Sequence, residues 1–406
     1  MVRRALVAFV VESVIGLVVW ALVVDADTVE VHAGSSTSNA STSNATQAGA
    51  EAGTAASTTT TVAVSVAPAD GRTASQRRLT KVTTISDGPL KPKSVVATGD
   101  GRFLAQNMMY EHSVTVYNRD FSLVKRVDDS IDPTKFGITD TTGTLKGAPV
   151  EAAISPDGST AWISNYQMYG TGFDRPGDDK CSKADWDSSF LYRLDLASLE
   201  ISAAIRVGPV PKYVAATPDG TTVLVTNWCG YDMSVVDTAT STETRRIPLG
   251  RFPRGIAISP NSRTAYVAIM GSSDIAVVDL KSSEVSWIRD VGRGPRHLVL
   301  SPDGATLYAT LNSAGRVARI DTATRRLVDS VASPEAPRSM AISDDGSALY
   351  VVNYESDQVS KIDTSTMSEV QRIDVAHHPI GITYDAATRQ VWVACYVGRL
   401  EVLQDA

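Results

Sequence analysis

Short runs of apolar and alternating residues, separated by turn residues, recur along the chain from Pro92 to its C-terminus. Within the segment that opens at Pro295, these runs cover 297–300, 306–310, 316–320 and 327–331. Runs rich in β-branched and aromatic residues predict strands, and the intervening Ser301-Pro302-Asp303-Gly304 predicts a tight turn. The segment therefore predicts four short strands.

The pattern returns every 42 residues, and its clearest copies open at Pro211, Pro253, Pro295, Pro337 and Pro379. Weaker copies open at Pro92 and Pro149, with stretched spacings of 57 and 62 residues to the next copy. A fixed period of this length indicates one unit that needs a neighbour to cover its apolar face. Four strands per unit predict an all-β fold, a seven-bladed β-propeller with four-stranded antiparallel blades.

The two ends of this array are complementary. The last unit ends soon after its third strand at 400–403, whereas residues 79–86 resemble the fourth strand that precedes every other unit. An N-terminal strand that completes the last blade would remove an open sheet edge. We therefore predict that residues 79–406 form a closed ring.

One aspartate also recurs with the same step, after the third strand of each regular unit. These residues are Asp195, Asp237, Asp279, Asp321 and Asp363. Such a ladder could serve a metal or catalysis, but Asp beside Thr and Ser is typical of an Asx turn that closes a hairpin. We predict the turn.

The N-terminal part differs in composition. Arg3 and Arg4 precede an apolar run at 5–24, interrupted by Glu12, which predicts a signal peptide or membrane anchor over 1–26. Residues 27–78, rich in Ser, Thr and Ala, predict a disordered stalk. Secretion, or anchoring on the extracytoplasmic side of a membrane, follows from this order. The alternative is a wrongly assigned start codon before a cytoplasmic domain.

Charge and cysteine content restrict the function. The formal net charge of −7 disfavours non-specific nucleic-acid binding by the whole chain. The three cysteines form neither a C-x-x-C-H nor a C-x-x-C motif, which disfavours covalent haem and a cysteine zinc cluster. One disulfide in an oxidising compartment fits this count.

Several second strands end in a related tetrapeptide. Tyr350-Val351-Val352-Asn353, Val225-Thr226-Asn227 and Ile163-Ser164-Asn165 resemble the YVTN repeat, although Ile269, Leu311 and Cys395 replace its Asn. Over residues 79–406 the chain resembles the seven-bladed YVTN-repeat propellers of secreted and surface-layer proteins. This resemblance implies the fold, whereas relatives include binding proteins and distant propellers include lactonases and streptogramin lyases.

In such blades the first strand lines the central channel. The residues that follow the opening prolines are Lys93, Val150, Lys212, Arg254, Arg296, Arg338 and Ile380. Five cations around one channel mouth would favour an anionic ligand, unless each instead bonds backbone carbonyls between blades. Further candidate ligand contacts on neighbouring loops are Asn165, Asn227, Trp228, Asn353 and Tyr354.

Both stretched spacings fall on this rim, where we expect insertions at about 128–147 and 166–189. Long loops without regular structure are usually functional, so a partial lid is predicted. Cys181 lies in the second insertion and Cys229 in the equivalent loop of the next blade. We predict a disulfide between them, with Cys395 as a free thiol.

Histidines also reach this rim, at His112, His297 and His377-His378. His112, His297 and His378 could bind a divalent metal or supply a general base. None has metal-site spacing, so we predict no cofactor unless these side chains converge.

Three hypotheses remain. The first is a non-enzymatic binding scaffold at the cell envelope, with an anionic ligand or protein partner at the lidded rim. The second is a metal-dependent propeller lactonase or lyase. The third is single-stranded nucleic-acid binding, which needs cations beside exposed aromatic rings and is disfavoured by the acidic lid.

Overall fold

The computed structural model describes residues 70–182 and 185–406. The predicted signal peptide or anchor, and the predicted stalk as far as residue 69, lie outside the described residues. The described ranges contain 29 strands in seven antiparallel sheets, together with the short 3₁₀ helices Ala74–Gln76 and Pro133–Phe136.

The strands are numbered in chain order. Those of the first three blades are β2 (Pro92–Ala97), β3 (Arg102–Asn107), β4 (Ser113–Asn118), β5 (Leu123–Asp128), β6 (Ser130–Ile131), β7 (Leu145–Ile154), β8 (Thr160–Tyr169), β9 (Ser189–Asp195), β10 (Glu200–Val207), β11 (Pro211–Ala216), β12 (Thr222–Asn227), β13 (Asp232–Asp237) and β14 (Thr242–Pro248). Those of the fourth to sixth blades are β15 (Pro253–Ile258), β16 (Thr264–Ile269), β17 (Asp274–Asp279), β18 (Val285–Ile288), β19 (Pro295–Leu300), β20 (Thr306–Leu311), β21 (Arg316–Asp321), β22 (Arg326–Ala332), β23 (Pro337–Ile342), β24 (Ala348–Asn353), β25 (Gln358–Asp363) and β26 (Ser368–Asp374). The seventh blade contains β27 (Pro379–Asp385), β28 (Gln390–Cys395), β29 (Arg399–Asp405) and, from the other end of the chain, β1 (Leu79–Ile85).

The first strands of the blades contact one another in a closed circle, in the order β2, β7, β11, β15, β19, β23, β27 and back to β2. The predicted seven-bladed propeller is therefore confirmed. The second strands of the blades are almost wholly buried, whereas the outer strand β26 alternates exposed and half-buried residues. This gradient arises because each inner strand packs between two neighbouring blades, while an outer strand faces water on one side.

The predicted closure by the N-terminal strand is also confirmed. β1 pairs antiparallel with β29, and Leu79 lies opposite Asp405. On the other side of the same blade, Trp392 stacks on Phe103 of the first blade with ring centroids 3.9 Å apart. The last blade is therefore bonded both to the N-terminal strand and to the first blade.

The recurring aspartates close hairpins as predicted. The carboxylate of Asp321 accepts hydrogen bonds from the backbone N–H and the hydroxyl of Thr324, at 2.6 and 2.7 Å. Asp195, Asp237, Asp279 and Asp363 accept equivalent bonds. These carboxylates serve the turns.

The first insertion differs from the expected irregular loop. β6 pairs with the extended strand β7, which gives the second blade a fifth strand. Ile131 and Leu145 lie opposite each other and are buried, with Phe136 of the second 3₁₀ helix packed against the same cluster. Apolar residues spaced along the insertion provide enough burial to order it.

Residues 70–78, which precede β1, contact the sixth blade. The backbone N–H of Ala74 donates to the Asp345 carboxylate at 2.8 Å, and Lys361 donates to the carbonyl of Arg77 at 2.8 Å. Lys361 and Asp405 form an ion pair in which both side chains have no solvent exposure. The hydroxyl of Tyr350 also donates to Asp405, at 2.6 Å.

The backbone is unusual where several chain segments enter the rim. Val210, Phe252, Ala336 and His378 each precede an opening proline and have φ between 55° and 61°. Left-handed backbone is unfavourable for residues with a Cβ, above all for the β-branched Val210. Such positions commonly lie beside functional sites, and here Val210, Phe252 and Ala336 come two residues before Lys212, Arg254 and Arg338 of the channel mouth.

Candidate functional site

The five predicted cations line one cavity at the channel mouth. Its volume is about 200 Å³, and its walls are Lys93, Asp179, Lys212, Trp228, Arg254, Met270, Arg296, Asn312 and Arg338. Each cation is the second residue of its blade's first strand, so the ring geometry points all five toward the channel axis. Lys212 and Arg296 are each only 4% exposed.

These cations have few counter-ions. Within residues 70–182 and 185–406, Lys212 alone among the five has a carboxylate within salt-bridge distance, and that group is Asp179 at 2.5 Å. If these cations served to join neighbouring blades, they would donate hydrogen bonds to backbone carbonyls. The same ranges contain no such bond from Lys93, Arg254 or Arg296. Nε of Arg338 is buried without a partner. The cavity is therefore strongly positive.

A second ring of residues forms the upper wall, one position after each YVTN-like tetrapeptide. It contains Tyr166, Trp228, Met270, Asn312, Tyr354 and Tyr396. Several of its aromatic faces contact the cations. The distance to a ring centroid is 3.3 Å from Arg338 to Tyr354, 4.3 Å from Lys212 to Tyr166 and 5.2 Å from Lys93 to Tyr396. A cation over a ring gains about 0.5–2 kcal/mol, less than the cost of burying an unpaired charge.

Arg296 differs from the other cations because the second ring is not aromatic beside it. Its own blade contributes Asn312 to that ring, and the preceding blade contributes Met270. No aromatic face of the described residues contacts its guanidinium, and no described carboxylate pairs with it. Arg296 is thus a buried cation whose neighbours supply neither kind of compensation.

Mutual repulsion within the cavity changes the titration of these groups. Burial, together with repulsion from Arg254 and Lys212, places the pKa of Lys93 well below its ordinary value. Burial lowers the pKa of Lys212 to about 8, although the Asp179 charge opposes this shift. Burial and the charge of Arg338 lower the pKa of Arg254 to about 10. Each shift means that a further negative charge would stabilise the ionised form.

Asp179 belongs to the loop between β8 and β9, which is the second insertion. Its carboxylate accepts a hydrogen bond from the hydroxyl of Tyr166 at 3.2 Å as well as from Lys212. Its carbonyl accepts from Nε1 of Trp228 at 3.0 Å. Burial would raise the pKa of Asp179, but the charge of Lys212 and its hydrogen bond lower it overall. This loop, called the lid below, thus places one carboxylate at the cavity.

The disulfide between Cys181 and Cys229 is present, as predicted. It joins the lid to the loop after β12, and its Cys181 end lies two residues beyond Asp179. Arg175 pairs with Asp185 and Asp187 within the lid. The remaining thiol, Cys395, is free and buried, and burial raises its pKa.

A family model for YNCE-like β-propellers matches residues 195–314, and the seven blades described above agree with it. The resemblance to YVTN-type propellers is confirmed. No curated protein matches the chain. Among solved structures, hydrazine synthase of Kuenenia stuttgartiensis is similar with a TM-score of 0.45 and 22% identity, over 66% of this chain and 97% of that one.

A deeper layer of this propeller lies one residue after the cations of the first strands. Ser94, Glu151, Tyr213, His297 and Ser339 line a second cavity of about 210 Å³ in the channel. Burial raises the pKa of Glu151 to about 7, even though the charges of Arg254 and Lys93 oppose the shift. The sequence analysis did not select Glu151, although it is the second residue after its opening proline, as Ser94, Tyr213, His297 and Ser339 are after theirs.

The asparagines of the tetrapeptides are not brought to the cavity. Asn165, Asn227 and Asn353 are wholly buried. Nδ2 of Asn227 donates to the Ser234 hydroxyl at 2.8 Å, and Nδ2 of Asn353 donates to the Ser360 hydroxyl at 2.9 Å. The Asn227 and Asn353 side chains therefore bond neighbouring strands, whereas both amide atoms of Asn165 are buried without a hydrogen-bond partner. Of the loop residues predicted as contacts, Trp228 lines the cavity and Tyr354 stacks on Arg338.

The histidines have separate surroundings in this propeller. His112 bonds the carbonyl of Gly147 through Nδ1 at 2.8 Å. His297 packs edge-on against Tyr213, and burial lowers its pKa to about 3. His378 stacks on Tyr354 with centroids 4.2 Å apart. The described ranges hold no group of three or more His, Cys, Asp or Glu side chains placed to bind a metal ion.

The part of the chain that the structure covers also contains no helix with the length and apolar character needed to span a bilayer.

Proposed function

We propose that this propeller is a non-enzymatic binding protein that takes a small anionic ligand in the cavity at its channel mouth. The observation that carries the proposal is the imbalance of charge, with five cations around one cavity and one carboxylate among its walls. Buried unpaired cations destabilise a fold by several kcal/mol. Proteins retain such a cost where a function requires it, and an anion would offset it here.

The chemistry and size of the site restrict the ligand. Guanidinium groups offer planar pairs of N–H donors that match carboxylate and phosphate oxygens. A cavity of about 200 Å³ is too small for most of a drug-sized molecule. A small carboxylate or phosphate compound fits these limits better than an extended chain. An acidic side chain of a protein partner would have to enter from the lidded rim.

We further propose that the protein acts on the extracytoplasmic side, secreted or anchored by the N-terminal segment. The disulfide between Cys181 and Cys229 supports this, because such bonds persist in oxidising compartments. Expression of the full chain followed by fractionation tests it, and recovery of the protein in the cytoplasm with free thiols would contradict it.

Thermal unfolding at low salt, with phosphate, succinate, citrate or a single-stranded oligonucleotide, tests the binding function. We expect a small polyanion to raise the Tm by a few degrees when it is well above its Kd. Arg296→Gln should clearly reduce the rise, whereas Arg326→Gln on the exposed face of β22 should retain it. A Tm rise with the oligonucleotide alone would favour nucleic-acid binding, and no rise with any probe would exclude the proposed function.

A further inference from the structure

The inference concerns the ligand class of the same cavity, and it rests on the proposed function. We infer that the ligand carries at least two acid groups, and that one of them replaces the Asp179 carboxylate at Lys212 while another meets the arginines. Asp179 thereby acts as a resident group that the ligand displaces.

The exposures of the two partners support displacement. The side chain of Lys212 is 4% exposed, whereas that of Asp179 is 73% exposed. The cation is therefore a fixed part of the channel wall, and the carboxylate approaches it from the solvent side. On leaving, the Asp179 carboxylate returns to water, whereas the buried ammonium of Lys212 needs another anion in its place. Exchange of one carboxylate for another keeps Lys212 paired and leaves the displaced Asp179 hydrated.

Lys212 is otherwise prepared to hold an oxyanion. Its ammonium lies over the ring of Tyr166 at 4.3 Å and near that of Trp228 at 5.3 Å, so its position is set by neighbours that would remain. The hydroxyl of Tyr166 donates to the bound Asp179 oxygen at 3.2 Å. The same ammonium and hydroxyl can donate to a ligand oxygen once Asp179 leaves.

The need for a second acid group follows from the remaining charge. Arg254, Arg296 and Arg338 also line the cavity, and no described carboxylate lies within salt-bridge distance of them. A ligand with one acid group either substitutes for Asp179 and leaves this imbalance unchanged, or pairs with the arginines and leaves Asp179 in place. A second acid group pairs with charge that the empty site does not compensate, so affinity should depend on the number of acid groups.

The lid is attached in a way that permits this exchange. The disulfide at Cys181 fixes the loop two residues from Asp179, and Trp228 holds the Asp179 carbonyl. The side chain can rotate away from Lys212 while its backbone stays in place. Displacement therefore requires a change of rotamer and no opening of the whole loop.

Acetate, succinate, citrate and inorganic phosphate are suitable probes for calorimetric titration of the full chain at low salt. We expect acetate to bind weakest and the polyanions to bind more tightly by about tenfold or more, since each added close charge pair contributes about 1.5 kcal/mol or more. Comparison of citrate with phosphate distinguishes a carboxylate from a phosphate ligand. Equal affinity for acetate and citrate would overturn the requirement for two acid groups.

A double-mutant cycle tests the displacement. Asp179→Asn should tighten citrate binding by about tenfold in the wild-type background, because the competing carboxylate is gone. In a Lys212→Met background the same change should have little effect, since the ligand no longer competes for that ammonium. Equal tightening in both backgrounds would mean that Asp179 merely repels the ligand through space, which overturns the inference.

Two controls keep these outcomes interpretable. Lys212→Gln provides a second background if Lys212→Met fails to fold. Asp290→Asn, an exposed change on another blade, should leave citrate affinity unaltered. If neither wild type nor Asp179→Asn binds any probe, the proposed function itself fails. If both bind citrate equally, the cavity binds anions and only the displacement is wrong.

Discussion

The ammonium of Lys212 lies 2.5 Å from the carboxylate of Asp179, and the two residues come from different blades of the propeller. Lys212 occupies the first strand of the third blade, whereas Asp179 comes from an insertion in the second. Their ion pair is the single carboxylate contact that the described residues make to the five cations of the mouth. The remaining positive charge determines how the site should respond to pH, mutation and ligand.

The first prediction concerns pH. Burial lowers the pKa of Lys212 to about 8, and an anion in the cavity would raise it again. Affinity should therefore fall as the pH rises above about 8, by up to about tenfold per unit for each lysine that must regain a proton. Lys93, with its lowered pKa, adds to the same trend.

Citrate titrations between about pH 8 and 9.5 measure this dependence, because citrate and Glu151, whose pKa is about 7, are already largely ionised there while the lysines of the cavity lose their protons. Affinity that stays constant or rises toward alkaline pH would contradict the charge assignment. Lys212→Gln should flatten the upper part of the profile.

The second prediction concerns the acid deeper in the channel. The folded-state pKa of Glu151 is about 7, above its ordinary value of 4.5, so wild-type stability should fall as the pH rises from about 4.5 to 7. Glu151→Gln removes this loss and should raise the free energy of unfolding at pH 8 by up to about 3 kcal/mol.

Denaturant unfolding at about pH 4.5 and 8 separates this effect from packing changes. The two proteins should differ little at the lower pH, where the folded wild type binds the proton. Glu284→Gln on the surface should be neutral at both. An equal gain from Glu151→Gln at both pH values would show that titration of the carboxyl is not the cause.

The third prediction concerns the buried ion pair between Lys361 and Asp405. Both side chains have no solvent exposure, and Asp405 also accepts a hydrogen bond from Tyr350. Asp405→Asn leaves the Lys361 charge buried without its counter-ion, which should cost about 3–5 kcal/mol of unfolding free energy. Chemical denaturation with Asp290→Asn as the exposed control measures it, and a loss below about 1 kcal/mol would show that Lys361 finds another partner.

The repeat explains why so much of the fold could be predicted. A 42-residue step that places Pro211 and Pro253 alike also places their strands, turns and following cations alike. The ring closure followed from a missing strand at one end and a surplus strand at the other. These inferences needed only local patterns and the requirement that every blade be covered by a neighbour.

Two kinds of feature could not be predicted. One lies where an insertion interrupts the repeat, and the other depends on which way a side chain of the repeat points. Asp179 was one of several acids in the lid, and no periodic neighbour indicated which of them would reach Lys212. Asn227 and Asn353 followed the repeat, but their side chains turn inward to bond adjacent strands. β6 forms because Ile131 and Leu145 pair across the first insertion. The 42-residue repeat does not contain this segment and therefore could not predict the contact.

Calorimetric titration of the wild-type chain and of Arg296→Gln with citrate tests anion binding at the channel mouth, because Arg296 is buried and has neither an acidic nor an aromatic partner among the described residues. We expect one binding site per chain at low salt, with affinity about tenfold or more weaker in Arg296→Gln and both proteins equally folded. Binding of equal strength to both proteins, or no binding to the wild type, would contradict it.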